Sequence, residues 1–574
     1  MLSIPKAQVY RRLGAQTARK ACFSQPRQFL HSANTTSRQE KRTLASVVSV
    51  DLPIDQHQVP PAGKNPIPDF GDAQSAYRSK SNVELARAWL SFSLCRVRPL
   101  VRFSEPLLKY SRKVFGDWIV DSGLQMTLFG HFCAGTDEKS IQPVIQKLEQ
   151  AGVGSILDFA AEDDGESEPK SSKILADVIV HDEKPKVRVY DYESEAQCDR
   201  HVETFRKCIQ DVADLQSDGY AAVKVTALGN PKLLERMSRA IVEAQNLFAK
   251  FDRDADGVVS KDEFELAYQV FFQDDSDLKN HLDLLIDSQG MVDYISWSMT
   301  LSPRDLPNIT KGCREVGPLS LACPTDEELE LMERMYERGH ELGREAAKTG
   351  TRVLIDAEQV RFQPAIDNLV LDLQRTYNAE RETDHPLIYN TYQCYLKDVP
   401  ERLKTDVERS ERFEYHFGAK LVRGAYMESE RALAESLDLE SPIHDTIEDT
   451  HTCYNDAVSF LLEKAKTHPS LELMLASHNQ RSIELAIEAM NQHGIDRKSS
   501  TICFAQLFGM MDHLTFNLGK HGYRAYKYVP YGEVKMVMPY LIRRANENSS
   551  LAGGATQELQ MIRQELQRRA LPIL

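Results

Sequence analysis

An α/β fold, a (β/α)8 barrel with an N-terminal helical arm and an inserted helical EF-hand module, is predicted by three features of the 574-residue chain. Eight short, β-rich apolar runs recur along it, most of them separated by stretches long enough for a crossover helix. A polar residue closes most of these runs, as the rim of such a barrel requires. Between the second and third runs lies a twelve-residue acidic loop with the ligand spacing of a calcium site.

The elements follow in chain order. The first 42 residues hold nine Lys or Arg against a single acid, Glu40, with Ser, Thr, Ala and Gln between them. That composition predicts a mitochondrial transit peptide over 1–45. Residues 46–125 read as a Pro- and Gly-rich linker (51–69) followed by a helical arm (83–121). The barrel then starts at 126–229, with apolar runs at 153–160 and 221–226. An EF-hand insertion takes up 230–324, and 325–550 completes the barrel with runs at 352–356, 386–392, 419–423, 473–477, 501–506 and 524–529. A helical tail over 551–574 ends the chain. The helix from Thr325 carries the clearest signals: a capping box to Glu328, Leu329, Met332, Met335 and Tyr336 at helical spacing, and Gly350 as its stop.

Composition excludes several function classes. Seventy basic against 85 acidic residues give a net charge of −15, so no nucleic-acid partner is expected. No run of 18 apolar residues exists; the best window, 83–100, is broken by Glu84, Arg87, Arg96 and Arg98, so any membrane contact is peripheral. Ten scattered cysteines without a CxxC pair indicate a reducing compartment. The Gly152-Val153-Gly154 run precedes the first strand instead of following it, which disfavours a Rossmann site, and GxSxG, HExxH and Walker motifs are absent.

Active sites of such barrels sit at the C-terminal ends of the strands. The residues closing the runs include Lys224, Asp356, Gln393, Arg423, His478, Gln506 and Tyr528. This set has several cations and donors, few carboxylates and no metal triad. It suits an anionic substrate with a polar cofactor.

In the insertion, Asp252, Asp254, Asp256, the Val258 carbonyl, Ser260 and a bidentate Glu263 fall at the six ligand positions of an EF-hand loop, with Gly257 at the turn and Phe251 and Phe264 flanking it. A degenerate partner over 285–296 has Leu285 at the first position and Ser296 at the twelfth, so it is expected to pair structurally without binding calcium well. The insertion either emerges as a βα loop on the active-site face or, if residues 232–250 form the crossover helix, lies on the opposite face; the short link from the Thr325 helix into the third strand favours the first.

Several longer words at the strand ends resemble the mitochondrial proline dehydrogenase family: 222–229 (AVKVTALG), 354–359 (LIDAEQ), 389–398 (YNTYQCYLKD), 418–426 (GAKLVRGAY), 476–479 (ASHN), 526–532 (YKYVPYG) and 540–544 (YLIRR). The resemblance runs in order over roughly residues 125–550. It implies a distorted barrel holding FAD noncovalently, oxidising L-proline to pyrroline-5-carboxylate. Electrons would pass to ubiquinone during peripheral contact with the matrix face of the inner mitochondrial membrane. Hydride would leave proline C5 for flavin N5, with the amine deprotonated and no dedicated base.

The resemblance also implies site roles. Arg543 and Arg544 would receive the proline carboxylate, with Lys224 as a further cation and Glu547 orienting the arginines or meeting a flavin ribityl hydroxyl. Tyr426, Tyr528 and Tyr540 would wall the proline ring, Leu507 would add an apolar contact, and Asp356 would tie the third strand to Tyr528 or a cation. Tyr528 would also exclude a ring hydroxyl by bulk. Gln393, Val422, Gly424, His478 and Gln506 would contact the flavin. Bacterial relatives often carry Arg and Lys at the places of Lys420 and Arg423, so either of these two could face flavin N5. Two other readings stand beside this one: a barrel oxidase of another cyclic amino acid such as hydroxyproline, and a calcium sensor on an inactive barrel.

Overall fold

The computed structural model describes residues 65–160, 192–216, 218–254, 256–273, 286, 290–300, 303–468, 470–550 and 554–570. The expected transit peptide and most of the linker lie outside these residues, as do Leu285 and residues 287–289 of the degenerate loop. The described residues divide into two compact units, one within Ile67–Arg239 and Pro324–Leu574 and one within Ala240–Cys323. The division falls inside the helix Pro231–Phe251.

The larger unit is a closed barrel of eight parallel strands. These are β1 (Gly154–Phe159), β2 (Tyr220–Val223), β5 (Arg352–Ile355), β6 (Ile388–Gln393), β7 (Gly418–Val422), β8 (Glu472–Ala476), β9 (Ile502–Leu507) and β10 (Ala525–Tyr531), with β1 hydrogen-bonded to both β2 and β10. Every predicted run has become a strand, shifted by at most a few residues at its ends. The helix Asp326–Thr349 starts on the Thr325 capping box and stops at Gly350, whose φ of +73° is the left-handed conformation that glycine adopts without strain. It reaches β5 two residues later, making it the helix that delivers the chain into that strand.

Side chains alternate across each strand, so positions two apart share a face. Ile156, Tyr220, Ala222, Leu354, Tyr389, Met474, Cys503, Ala505 and Tyr526 pack together inside the barrel. The intervening residues, such as Ala419, Leu421, Leu473, Leu475 and Phe504, pack outward against the helices. The floor of the lumen is closed by charge: Asp218 accepts from the Tyr526 hydroxyl at 2.6 Å and from Arg352 at 2.8 Å, and Glu472 accepts from Tyr389 and Arg352. Access to the lumen is therefore confined to the C-terminal ends of the strands.

Before β1 run the helices Asn82–Cys95, Arg98–Arg102, Ser104–Phe115 and Asp117–Met126. Their inner residues, among them Phe92, Val101 and Leu124, join a core with Val537, Met538, Tyr540 and Leu541 of the segment following β10. Arg569 clamps this layer by donating to the Tyr77 and Lys80 carbonyls at 2.8 and 2.6 Å.

In the smaller unit, β3 (Val258–Ser260) and β4 (Met291–Asp293) pair antiparallel, with Val259 opposite Val292. Both valines are buried among Phe248, Phe251, Phe264 and Trp297.

Candidate active site

The lumen-facing parity, followed one step past the buried interior layer, selects the residues of the mouth. From Ala222 it leads to Lys224, from Leu354 to Asp356, from Ile156 to Asp158 and from Tyr526 to Tyr528. These four side chains meet. Asp356 accepts a hydrogen bond from the Tyr528 hydroxyl at 2.9 Å and from Lys420 Nζ at 2.5 Å, and Lys224 Nζ lies 3.6 Å from its second oxygen. Lys224 also donates to Asp158 at 3.2 Å. Lys420 stands 5.7 Å from the centre of the Tyr528 ring, close enough for a cation–π contact.

Burial pulls the Asp356 carboxyl upward, but Lys420 and Lys224, with the hydrogen bonds from Lys420 and Tyr528, outweigh it and hold the group below the usual carboxylate range. The Tyr528 hydroxyl is pushed well above its ordinary value by burial and by the charges of Asp158 and Asp356. It therefore stays protonated and remains a donor.

The helix Met538–Ser550 brings a second set of groups. The Arg543 and Arg544 guanidinium carbons lie 5.9 and 5.0 Å from the centre of the Tyr540 ring, and Arg544 Nη2 bonds Glu547 Oε1 at 2.5 Å. Arg544 and Tyr540 are buried, and neither Arg544 Nε nor the Tyr540 hydroxyl has a hydrogen-bond partner. Buried donors left open in this way point to a polar ligand. His478, at the end of β8, accepts from the Leu507 amide through Nε2 at 3.1 Å. Desolvation, with Lys527, Arg544 and Arg423 nearby, drives its pKa down to about 3, so the ring is neutral with its proton on Nδ1.

Two predicted residues point elsewhere. Arg423 has the opposite parity to Lys420 and enters the helix layer, donating to His451 Nδ1 at 3.0 Å, Ser477 Oγ at 2.6 Å and Ser482 Oγ at 2.9 Å over the face of Tyr454. Gln506 likewise faces outward, donating to the Ser477 carbonyl and accepting from Thr515. Of the two cations at the end of β7, then, Lys420 within the strand is the one that faces the lumen. Gln393 is buried and bonded to the Glu358 carbonyl at 2.7 Å, its side-chain oxygen accepting from the Ala425 amide.

Val422 ends β7, and Gly424 follows at φ +137° with the Tyr395 ring so close that a Cβ would come within 2.5 Å of it. Tyr426 precedes the helix Met427–Ser436, and Leu507 ends β9.

Sequence reading missed Asp158 and Glu358. Glu358 is buried, accepts from the Thr226 amide and hydroxyl at 3.0 and 2.6 Å, and is pushed up to about 7 by burial. Lumen parity would have found Asp158, and the LIDAEQ word holds Glu358 two residues past Asp356.

Within the smaller unit, carboxylate oxygens of Asp252, Asp254 and Asp256 lie within 4.8 Å of one another, the one such acidic cluster among the described residues. Asp252 accepts from the Gly257 amide at 2.9 Å, Gly257 has φ +88°, and Glu263 accepts from the Ser260 amide and hydroxyl at 3.0 and 2.7 Å.

The family described as Proline dehydrogenase matches residues 189–557. The chain is 36% identical over 552 residues to Proline dehydrogenase 1, mitochondrial, of Homo sapiens, covering 88% of this chain and 91% of that protein. It is 34% identical over 553 residues to the Caenorhabditis elegans protein of the same name, covering 87% of this chain and 88% of that one. Among solved structures, proline utilization A from Bdellovibrio bacteriovorus, inactivated by N-propargylglycine, superposes with a TM-score of 0.51 at 14% identity. That likeness is one of fold; it covers 87% of this chain and 41% of the longer protein.

Proposed function

The chain belongs to the proline dehydrogenase family, and on that premise we propose that it oxidises L-proline to pyrroline-5-carboxylate at the C-terminal mouth of the barrel, with FAD as oxidant and ubiquinone as onward acceptor. The observation that carries this reading is the pair of open buried donors on one helix, Arg544 Nε and the Tyr540 hydroxyl, beside Arg543. A planar guanidinium fork matches a carboxylate, and the tyrosine ring offers an apolar wall to a pyrrolidine.

The mouth residues fit a flavin. Lys420 facing the lumen, the neutral His478 with its Nδ1 proton and the close-set Gly424 make a donor-rich rim suited to an anionic dinucleotide, and the carboxylates at the mouth, Asp356 and Asp158, are ion-paired with Lys420 and Lys224. A flavin held there would supply the two-electron acceptor for the hydride of proline C5, with ubiquinone as the onward oxidant. The residues of the chain hold the substrate in line: Arg543 and Arg544 fix its carboxylate, and Tyr528, anchored by Asp356, limits the space around the ring. The amine proton leaves to solvent before transfer, and Asp356 remains an ionised anchor for Lys420 and Tyr528. Gln393, Val422, Tyr426, Leu507 and Glu547 complete the wall, while Arg423 and Gln506 brace strand ends and act on the cofactor through them.

We also propose that calcium binds Asp252, Asp254, Asp256, the Val258 carbonyl, Ser260 and Glu263. The clustered carboxylates, the left-handed Gly257 and the β3–β4 pairing support this. Calcium would then tune substrate or quinone access and leave hydride transfer untouched. The mitochondrial names of the relatives and the basic, acid-poor N-terminus support a mitochondrial location, which we place at the matrix face of the inner membrane. Among the described residues no helix is long and apolar enough to cross a membrane, which fits peripheral contact.

Steady-state turnover of L-proline, hydroxyproline and pipecolate with a soluble quinone tests the reading. Proline should have the highest specificity constant; preference for either of the others would transfer the reading to that cyclic amino acid.

A further inference from the structure

The two helices Ser104–Phe115 and Asp117–Met126 pack as a hairpin through the turn at Gly116, whose φ is +80°. Arg112 staples the pair by bonding Asp121 at 2.6 Å and Asp117 at 3.3 Å. The inner face is accounted for: Leu124 is buried in the core that includes Tyr540 and Met538, and Leu108 and Val120 pack against it. The outer face is also apolar. Phe103, Leu107, Tyr110 and Val114 recur at spacings of four, three and four, the repeat that keeps side chains on one side of a helix, and all four are exposed.

Beyond the turn the stripe continues with Trp118 at 80% exposure, Ile119 at 53% and Met126 at 71%, while Phe115 stands out at the tip. So many large apolar side chains on one short hairpin exceed the scattered exposure of an ordinary surface.

Charge and residue type say what covers this face. Arg102, Lys109 and Lys113 lie along the stripe, Arg96 and Arg98 precede it in the chain, and all five are exposed, a run of basic residues on a chain whose net charge is −15. Tryptophan, tyrosine and phenylalanine set among arginine and lysine suit the depth where acyl chains meet headgroups, with the cations on lipid phosphates.

We infer that this hairpin is a bilayer-docking element, inserting Phe115, Trp118 and Ile119 into the surface of an anionic membrane. The inference rests on the quinone reading above and deepens it: ubiquinone is dissolved in the bilayer, and the inner face of the hairpin shares its core with Tyr540 of the helix that carries Arg543 and Arg544. Docking there holds the substrate helix on the membrane side of its unit.

The test is flotation of the full chain with phosphatidylcholine vesicles, with and without phosphatidylglycerol. Two variants are compared: Phe115→Ser with Trp118→Ser and Ile119→Ser, and Arg102→Gln with Lys113→Gln. Proline oxidation with a water-soluble dye is measured alongside. The apolar variant should lose roughly tenfold or more in partitioning to both vesicle types. The charge variant should lose about tenfold on the anionic vesicles alone. Dye-linked turnover and melting temperature should match wild type in both.

Unchanged partitioning in either variant overturns the inference. So does a wild-type dimer that the apolar variant dissociates without any vesicle binding, because the face would then be covered by a second copy. If wild type binds vesicles but lacks dye-linked proline turnover, the functional reading fails while the docking surface stands.

Discussion

Tyr528 donates its hydroxyl proton to Asp356 Oδ2 at 2.9 Å across the barrel mouth, joining the last strand to the strand that follows the insertion. The bond fixes the Tyr528 ring, which on the proposed reading limits the substrate space, and it separates two effects. Tyr528→Phe keeps the bulk and loses the anchor, so kcat/KM for proline should fall by roughly tenfold with the preference over hydroxyproline intact. Tyr528→Ser opens the space, so the ratio of specificity constants should narrow because proline activity falls further. Steady-state kinetics on both substrates checks this; a ratio that does not move in Tyr528→Ser refutes the steric role.

Arg543→Met and Arg544→Met should each weaken proline binding while FAD stays bound. A lost charge-assisted hydrogen bond costs about 1.5 to 3 kcal/mol, or roughly ten- to a hundredfold in the dissociation constant. Equilibrium titration of the oxidised protein with a proline analogue measures it. Unchanged affinity in both would remove the carboxylate assignment.

Much of this architecture was legible in the sequence because strands and strand ends obey simple rules. Each apolar run became a strand, and the Thr325 capping box and Gly350 fixed the helix that feeds β5. The residue closing a run was a coarser guide. Side chains alternate, so a closing residue can face either way. Asp356 and Tyr528 face the lumen, while Arg423 and Gln506 face the helices. Asp158 was missed because its apolar run extends to Phe159 and Ala160, leaving it inside the run although it shares the parity of Ile156.

The buried network of Lys527, Asp512 and Lys80 could not be read at all. Lys527 bonds Asp512 at 2.9 Å, and Asp512 also pairs with Lys80, more than four hundred residues away in the chain. No local pattern records such a contact.

Asp356 and Glu358, two residues apart, should have opposite pH signatures. The Asp356 carboxyl is held low, so its ion pairs stabilise the fold above the usual carboxylate range and are lost as pH falls through its lowered value. Asp356→Asn should cost on the order of 3 kcal/mol at neutral pH, and the gap from wild type should close in acid. Glu358 is raised to about 7, so its ionisation costs stability as pH climbs from its unfolded value toward 7. Glu358→Gln should therefore gain on wild type as pH rises. Denaturant unfolding across pH reports both; parallel profiles for the two variants would contradict the assigned charge states.

Glu263→Gln removes the proposed bidentate calcium ligand. Calcium binding by calorimetry and any calcium dependence of turnover should disappear together, while single-turnover flavin reduction at saturating proline stays at the wild-type rate. A slowed reduction step would mean that calcium acts on hydride transfer, and retained calcium binding would mean that the loop is not the site.

Anaerobic mixing of the purified protein with L-proline, followed by visible absorption, reaches the central claim most directly. The protein should carry an oxidised flavin whose absorption bleaches as proline is added, with one pyrroline-5-carboxylate formed for each flavin reduced. Protein that binds FAD but is not bleached by proline, or that is bleached only by another cyclic amino acid, would contradict it.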